Sequence, residues 1–347
     1  MVGEGVLVLG GRYPESDFLW NLASGAQISL PEKAFPDYAV SPNGKWLAFT
    51  ELGDTDKWIR ILTGDGQLSQ SIVQESDWFQ IIGWLDNERL LIDREAEPLH
   101  ATVALNPFTG HQLELASNYP ENYSIDAPYR RWERYAFTVS VYNSKLNKVV
   151  YIGLPDDPLH LSYQILDFKT NEMILEVDTA DVANQPPILA PDGDKFIVSM
   201  PSRKLTLTNY IPDSELYEIS FDGLVRKLTH LAEYFEIGVE ISQYRWSPNG
   251  RFIAFWMEPN PPAGLHDPYM ELAVLNMATQ EVTLYCVKGD FRDGGWAPIW
   301  APNSQQVMVK ILDETGIGQI VIVDIIHEVA FRVAGDLNPY GWMVSPP

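Results

Sequence analysis

Apolar and polar residues alternate on both sides of one short polar phrase, and the chain carries this phrase twice. Residues 38–50 read YAVSPNGKWLAFT, and residues 244–256 read YRWSPNGRFIAFW. In each segment the apolar positions recur with a period of two, which is the period of a β-strand with one buried face. Ser-Pro-Asn-Gly interrupts this alternation with residues that favour a tight turn, because proline presets φ and glycine tolerates positive φ. Both segments are therefore predicted to be β-hairpins.

Weaker copies of the hairpin occur along the rest of the chain. They keep the apolar lead-in, the turn residues and the apolar exit, and they read GWLDNERLLI (83–92), YNSKLNKVVYI (142–152), ILAPDGDKFIV (188–198) and IWAPNSQQVMV (299–309). Successive copies are 44 to 58 residues apart, and each is followed by a polar loop and two further strand-like segments joined by a short turn. A repeat of four antiparallel strands at this spacing is typical of a β-propeller blade.

The two ends of the chain supply one further blade. The C-terminal segment PYGWMVSPP (339–347) matches the first strand and turn of the repeat, whereas the N-terminal segments match its second, third and fourth strands. We therefore predict an all-β, seven-bladed β-propeller of four-stranded antiparallel blades, closed by a composite blade of about residues 1–31 and 338–347. Such a blade joins the ring without leaving open edges. The repeat runs from end to end without a linker, so residues 1–347 are predicted to be a single domain.

The repeated phrase also resembles a known family. Ser-Pro-Asn-Gly followed by a basic residue, an apolar residue and Ala-Phe, at 41–50 and 246–255, resembles the TolB-like propeller repeat, a WD-like repeat. The resemblance covers nearly the whole chain, and it implies a bacterial envelope protein with a periplasmic or extracellular location. Strands begin by about Val6, so the N-terminal α/β domain of TolB itself is not expected. The same repeat builds the propeller of prolyl-oligopeptidase-type enzymes, but this chain has no room for their hydrolase domain.

Composition narrows the classes of partner. The formal charge is −23, from 24 Lys and Arg against 47 Asp and Glu, so the backbone of a nucleic acid is not an expected partner. An acidic surface favours solubility, and it also favours a basic, cationic or Ca²⁺-bearing partner. The single cysteine, Cys286, excludes a disulfide framework within the chain. No apolar run reaches membrane-spanning length.

Motifs of the common enzyme classes are absent from the sequence. The chain contains no G-x-S-x-G elbow, no phosphate-binding G-x-x-x-x-G-K-[ST] loop and no H-E-x-x-H metal motif. Propeller enzymes, however, assemble their sites from single residues of several blades. A hydrolase or lyase that acts on sugars or small molecules at an axial site therefore stays open as an alternative.

Candidate binding residues lie in the segments that lead into the first strand of each blade. The loops that join second and third strands reach the same face of a propeller, and aromatic or acidic residues recur there in most blades. An aromatic funnel of this kind suits a sugar, a peptide or a cationic group, although aromatic residues also pack between blades or plug the channel. The predicted binding residues are Tyr38, Asp77, Trp78, Trp132, Glu240, Tyr244, Asp293, Trp296 and Tyr340.

A metal site is the weaker hypothesis. His100, His160 and His266 recur beside carboxylates in the loops of three different blades, and they could ligate Zn²⁺ or a similar ion if those loops converge. Ca²⁺ or another divalent ion is the cofactor considered, and the preferred interpretation is that the protein has none. We therefore predict a non-catalytic binding or scaffold propeller of a bacterial envelope or extracellular assembly. A protein is the expected partner, and a carbohydrate or a small cationic ligand is the alternative. A structural subunit that associates with copies of itself is a further alternative.

Overall fold

The strands form seven four-stranded antiparallel sheets, which are the blades of a seven-bladed β-propeller. This computed structural model describes residues 4–11, 16–54, 56–74, 78–96, 99–117, 139–153, 162–170, 172–178, 186–201, 214–235, 239–259, 269–290, 296–313 and 316–345. The described residues contain no α-helix, and one 3₁₀ turn spans Leu231–Glu233. None of their helical segments is long and apolar enough to cross a membrane. The predicted fold class is confirmed.

The chain falls into two compact units, and the prediction of a single domain stays a prediction. The first unit comprises Met1–Tyr129 and Ile299–Pro347. Blade 1 consists of β4 (Ala39–Val40), β5 (Leu47–Leu52), β6 (Lys57–Leu62) and β7 (Leu68–Gln74), and blade 2 consists of β8 (Trp78–Trp84), β9 (Leu90–Ala96), β10 (Leu99–Leu105) and β11 (Gln112–Ser117). Blade 6 consists of β24 (Ile299–Trp300), β25 (Gln306–Leu312), β26 (Gly318–Asp324) and β27 (Val329–Gly335). Blade 7 consists of β28 (Asn338–Met343), β1 (Val6–Gly10), β2 (Phe18–Asn21) and β3 (Gln27–Ser29).

The second unit is Arg130–Pro298. Blade 3 consists of β12 (Val139–Asn143), β13 (Lys148–Gly153), β14 (Ser162–Asp167) and β15 (Met173–Asp178). Blade 4 consists of β16 (Ile188–Leu189), β17 (Lys195–Pro201), β18 (Ser214–Ser220) and β19 (Val225–Lys227). Blade 5 consists of β20 (Val239–Trp246), β21 (Phe252–Pro259), β22 (Tyr269–Asn276) and β23 (Val282–Asp290).

Blade 7 is the composite blade that the sequence predicts. The C-terminal strand β28 pairs antiparallel with the N-terminal strand β1, with Val6 opposite Met343 and Leu7 opposite Trp342. The indole Nε1 of Trp342 also donates a hydrogen bond of 3.2 Å to the carbonyl oxygen of Glu4. All five residues of β1 are buried. The predicted closure by both ends of the chain is confirmed.

The Ser-Pro-Asn-Gly turn is held by its own side chains. Ser41 Oγ donates to Asn43 Oδ1 at 2.8 Å and accepts the N–H of Trp46 at 3.0 Å. Asn43 Oδ1 also accepts the N–H of Lys45 at 3.0 Å. Gly44 has a φ of 69°, a conformation that costs glycine little because it has no Cβ. The repeated phrase is therefore a compact hydrogen-bonded unit rather than only a chain reversal.

The second copy of the phrase repeats this geometry. Ser247 Oγ donates to Asn249 Oδ1 at 2.8 Å and accepts the N–H of Phe252 at 2.9 Å, and Gly250 has a φ of 69°. The tight turn that the sequence predicts at this phrase is confirmed, and its glycine has the positive φ that the turn requires. The same turn in blades of both units sets the same spacing between the first and second strands.

Apolar side chains from neighbouring blades share clusters within each unit. In the first unit, Val8 and Met343 of blade 7 pack with Phe49 of blade 1. Tryptophans at the end of first strands add a polar tie: Trp84 Nε1 donates to the Ala39 carbonyl at 3.0 Å. In the second unit the corresponding bond joins Trp246 to Ile188 at 3.2 Å. Each tie links the first strands of two consecutive blades.

Candidate binding site

Two of the predicted binding residues, Tyr38 and Tyr340, lie against each other in the first unit. Tyr38 immediately precedes β4, and Tyr340 lies within β28, so the pair stands where blades 7 and 1 meet. Their ring centroids are 4.8 Å apart with planes inclined at 48°, and the Tyr38 ring is 5.6 Å from Phe49. Both tyrosines are half-buried, and their inner edges pack on the apolar cluster between the two blades. The tyrosine pair therefore packs on this apolar cluster and is partly exposed to solvent.

A buried carboxylate, Asp17, supports the pair. Tyr38 Oη donates a 2.7 Å hydrogen bond to Asp17 Oδ2, and Asp17 is only 2% exposed. Within the part of the chain that the structure describes, Asp17 Oδ1 has no hydrogen-bond partner although it is shielded from water. Burial raises the pKa of Asp17, and the hydrogen bonds from Tyr38 and the Gly11 backbone partly oppose that rise. Asp17 is thus an incompletely paired carboxyl group next to two aromatic rings.

Sequence reasoning did not single out Asp17. Its one signal is that it directly precedes the strand β2 at Phe18, which places a carboxylate at the end of an inner strand of blade 7. Gly10 explains how the group fits. A β-carbon at Gly10 would overlap with both Asp17 Oδ1 and Cε2 of Tyr340. The close approach of carboxylate and ring therefore requires glycine at this position.

Tyr340 is held from the other side by a polar chain. Lys310 Nζ donates to Asn338 Oδ1 at 2.6 Å. The Asn338 side chain in turn forms a hydrogen bond with Tyr340, which lowers the pKa of this tyrosine against the larger opposite effect of burial. The two tyrosines are therefore oriented by different partners, Tyr38 by a carboxylate and Tyr340 by an amide backed by an ammonium group.

Asp37, next to Tyr38, ties blades 1 and 2 together. Its Oδ1 accepts the N–H of Thr50 at 2.8 Å, and its Oδ2 accepts the Thr50 hydroxyl at 2.6 Å and the Ile81 N–H at 3.2 Å. Burial raises the pKa of Asp37, and these hydrogen bonds oppose the rise. Asp37 therefore anchors the backbone that carries Tyr38, and it is a second acidic group close to that residue.

The other predicted residues whose side chains the structure describes are Tyr244, Glu240 and Trp296, and they lie in the second unit. Tyr244 is completely buried in the apolar cluster between blades 4 and 5, and its hydroxyl meets the Ser199 N–H at 3.3 Å. Burial raises the pKa of Tyr244. This side chain therefore packs in the core of the second unit, and its role in binding stays a prediction.

Glu240 and Trp296 are partly exposed. Glu240 lies opposite Glu258 across β20 and β21. The carbonyl oxygen of Trp296 accepts a 2.8 Å hydrogen bond from Nε1 of the fully buried Trp256. Both predicted residues thus lie beside buried parts of blade 5, and their role in binding stays a prediction.

The remaining predicted positions lie outside the described residues. These are Asp77, Trp132, Asp293, His160, His266 and the side chains of Trp78 and His100. Among the residues that are described, no group of three His, Cys, Asp or Glu side chains is placed to hold a metal ion. The histidine hypothesis is therefore untested by the structure.

Blade number and site together define the class of protein as a seven-bladed β-propeller with a partly exposed tyrosine pair over a buried carboxylate. No protein-family model matches the sequence, and no curated protein matches it.

Several solved structures have the same fold. Oligogalacturonate lyase from Vibrio parahaemolyticus is 15% identical and aligns over 96% of this chain and 86% of that chain with a TM-score of 0.56. A periplasmic gluconolactonase from Pseudomonas aeruginosa is 12% identical over 98% of this chain and 99% of that chain, with a TM-score of 0.51. TolB from Acinetobacter baumannii is also among the similar structures, at 12% identity over 95% of this chain and 79% of that chain with a TM-score of 0.48. These likenesses concern the fold alone.

Proposed function

We propose that the protein is a non-catalytic binding or scaffold propeller, which engages a protein partner in a bacterial envelope or extracellular assembly. The observation that carries the proposal is the tyrosine pair, whose rings lie 4.8 Å apart and are each held by a separate hydrogen-bond partner. Tyrosine is enriched among residues that dominate binding energy at protein interfaces, because it offers a large rigid surface with a polar tip. A pair that is already ordered loses little side-chain entropy on binding.

The location is proposed from two observations. The Ser-Pro-Asn-Gly phrase resembles a repeat typical of bacterial envelope proteins, and one of the structurally similar proteins is named as periplasmic. The absence of catalysis is proposed because the sequence contains none of the motifs of the common enzyme classes. The other predicted binding residues, among them Trp78, Trp132 and Trp296, are proposed as further binding residues of the protein.

Photo-cross-linking tests the proposal. A benzophenone amino acid placed at Tyr340 should capture a partner in native extract, whereas the same group at Tyr234, which is 79% exposed and outside the pair, should not capture it. With the captured partner purified, Tyr38→Ala, Tyr340→Ala, Trp78→Ala, Trp132→Ala and Trp296→Ala should each weaken binding by about 1 to 3 kcal/mol, while Tyr234→Ala should not. Circular dichroism must stay native in each variant.

Three outcomes would contradict the proposal. Equal capture from positions 340 and 234 would show that the pair is not the contact surface. Capture of the chain by itself, with a matching dimer in analytical ultracentrifugation, would favour a self-associating structural subunit. Turnover of a sugar or lactone that is abolished by changes at the pair would favour an enzyme.

A further inference from the structure

We infer that the tyrosine pair and Asp17 receive an organic cation, namely the ammonium or guanidinium group of a partner's lysine or arginine side chain. The inference rests on the proposed function and names the chemical group that this site recognises. It stands on the ring geometry, on the incompletely paired carboxylate beneath the rings and on the charges around them.

The rings supply the first component. The face of an aromatic ring is electron-rich and attracts ammonium and guanidinium groups within about 6 Å of the centroid. Two rings inclined at 48° with centroids 4.8 Å apart are in contact with each other, so the cation would lie over the solvent-exposed side of the pair, within reach of both rings. Tyr38 is also a hydrogen-bond donor to a carboxylate, which increases the electron density of its phenol group.

Asp17 supplies the second component. Tyr38 donates a hydrogen bond to one of its oxygens, and the other has no hydrogen-bond partner among the described residues. Only 2% of the residue is exposed to solvent. A buried carboxylate with one unsatisfied oxygen is costly, and a nearby positive charge offsets that cost. Because little water separates Asp17 from the rings, its field at the ring faces is screened less than that of a surface carboxylate.

The surrounding charges select against an anion. Asp37 is a second carboxyl group adjacent to Tyr38, and the whole chain carries a formal charge of −23. Lys310 is connected to Tyr340 through Asn338, and its ammonium group already donates a hydrogen bond to the Asn338 side chain. A phosphate or carboxylate ligand would therefore meet two acidic groups, whereas a lysine or arginine side chain would meet complementary charge.

Choline and its neutral isostere 3,3-dimethylbutan-1-ol are the probes that separate charge from shape. The full-length protein is labelled with ¹³C-tyrosine, and the signals of Tyr38 and Tyr340 are assigned from the Tyr38→Phe and Tyr340→Phe variants. Choline is expected to shift both signals but not that of Tyr234, and the neutral alcohol is expected to bind about tenfold more weakly or worse. Raising the salt concentration from low to molar levels should weaken choline binding and leave the alcohol unchanged.

The Asp17→Asn variant tests the buried charge. It keeps an oxygen that can accept the Tyr38 hydroxyl but removes the negative charge, so choline affinity should fall by about tenfold. Asp65→Asn is the matched control, because it removes the same formal charge from an exposed turn between β6 and β7 and should leave the affinity unchanged. If Asp17→Asn does not fold, the comparison of choline with the neutral alcohol on the wild-type protein still tests the cation.

The inference is overturned if the alcohol binds as tightly as choline, or if folded Asp17→Asn retains wild-type choline affinity. Cross-linking from position 340 decides the proposed function separately. Partner capture at 340 together with no response to choline would discard the cation and keep the binding surface. A choline response without any partner capture would keep the cation site and discard the protein partner.

Discussion

Replacing Tyr38 by phenylalanine tests the link between the tyrosine pair and the buried carboxylate. The change keeps the aromatic ring, with its neighbours at 4.8 and 5.6 Å, and removes only the hydroxyl that donates to Asp17 at 2.7 Å. Asp17 is then left with both oxygens unpaired by side-chain donors at 2% exposure. A hydrogen bond to a charged group contributes about 1.5 to 3 kcal/mol, so unfolding should become easier by about 2 kcal/mol where Asp17 is ionised.

The sign of the pH dependence follows from the direction of the shift. Burial raises the pKa of folded Asp17 above its unfolded value, so the folded state holds the proton over the interval between the two values, and stability falls as pH rises through that interval. Loss of the Tyr38 hydroxyl removes a contact that lowers this pKa and therefore widens the interval. Below it, where Asp17 is protonated in both states, the mutation should cost only about 0.5 to 1.5 kcal/mol, as for a neutral hydrogen bond.

Urea unfolding followed by tryptophan fluorescence between about pH 3 and pH 8 measures both quantities, with the same slope m required for each variant. Tyr234→Phe is the control, because that tyrosine is 79% exposed. If Tyr38→Phe proved neutral at high pH, or equally costly at every pH, the hydrogen bond to an ionisable Asp17 would not describe this site.

Further changes probe the turns, the closure and the space beneath the pair. Gly250→Val should destabilise by about 1 to 3 kcal/mol because φ is positive there, and an unchanged denaturation midpoint would be inconsistent with the turn geometry. Ser247→Ala removes the hydroxyl that accepts the Phe252 N–H and should cost about 1 to 3 kcal/mol, with hydrogen exchange of that amide accelerated; a protected amide would contradict the assignment. Deleting residues 341–347 opens an edge of β1, so light scattering should show aggregation, whereas unchanged melting would refute the composite blade. Gly10→Ala should displace the Tyr340 ring and abolish its response to choline, a result that native ring signals would exclude.

The fold could be predicted from sequence because its information is local and repeated. Alternation with a period of two and the Ser-Pro-Asn-Gly turn identify each hairpin without knowledge of distant contacts. Gly44 and Gly250 show why: their positive φ values follow from the turn type alone. The composite blade could be predicted because each end of the chain carries complementary strands of one repeat.

The site could be predicted only in part, because it depends on where strands begin and end. Tyr38 and Tyr244 occupy the same position, three residues before Ser-Pro, yet only Tyr38 is partly exposed. In blade 5 the first strand extends over Val239–Trp246, and a register shift near Gln243, which has a φ of 51°, turns Tyr244 into the core. In blade 1 the first strand starts only after Tyr38. Bulges of this kind redirect side chains and leave little trace in composition.

Asp17 illustrates the other limit. It reaches Tyr38 across 21 residues and from a different blade, and no periodic pattern links the two positions. Its partners follow from the packing of blade 7 on blade 1, which depends on Gly10 and on the pairing of β28 with β1.

The pairing of β1 with β28 also means that blade 7 can be completed only at the end of translation. Strand β1 ends at Gly10, whereas its partner β28 begins at Asn338, so the ribosome must add more than three hundred residues before the two can meet. At about 5 to 20 residues per second, the nascent VLVLG segment waits on the order of half a minute with one edge unpaired. A short, uncharged and strongly β-forming segment is prone to intermolecular pairing while it waits. Slower translation or loss of a holding chaperone is therefore expected to lower the yield of folded protein.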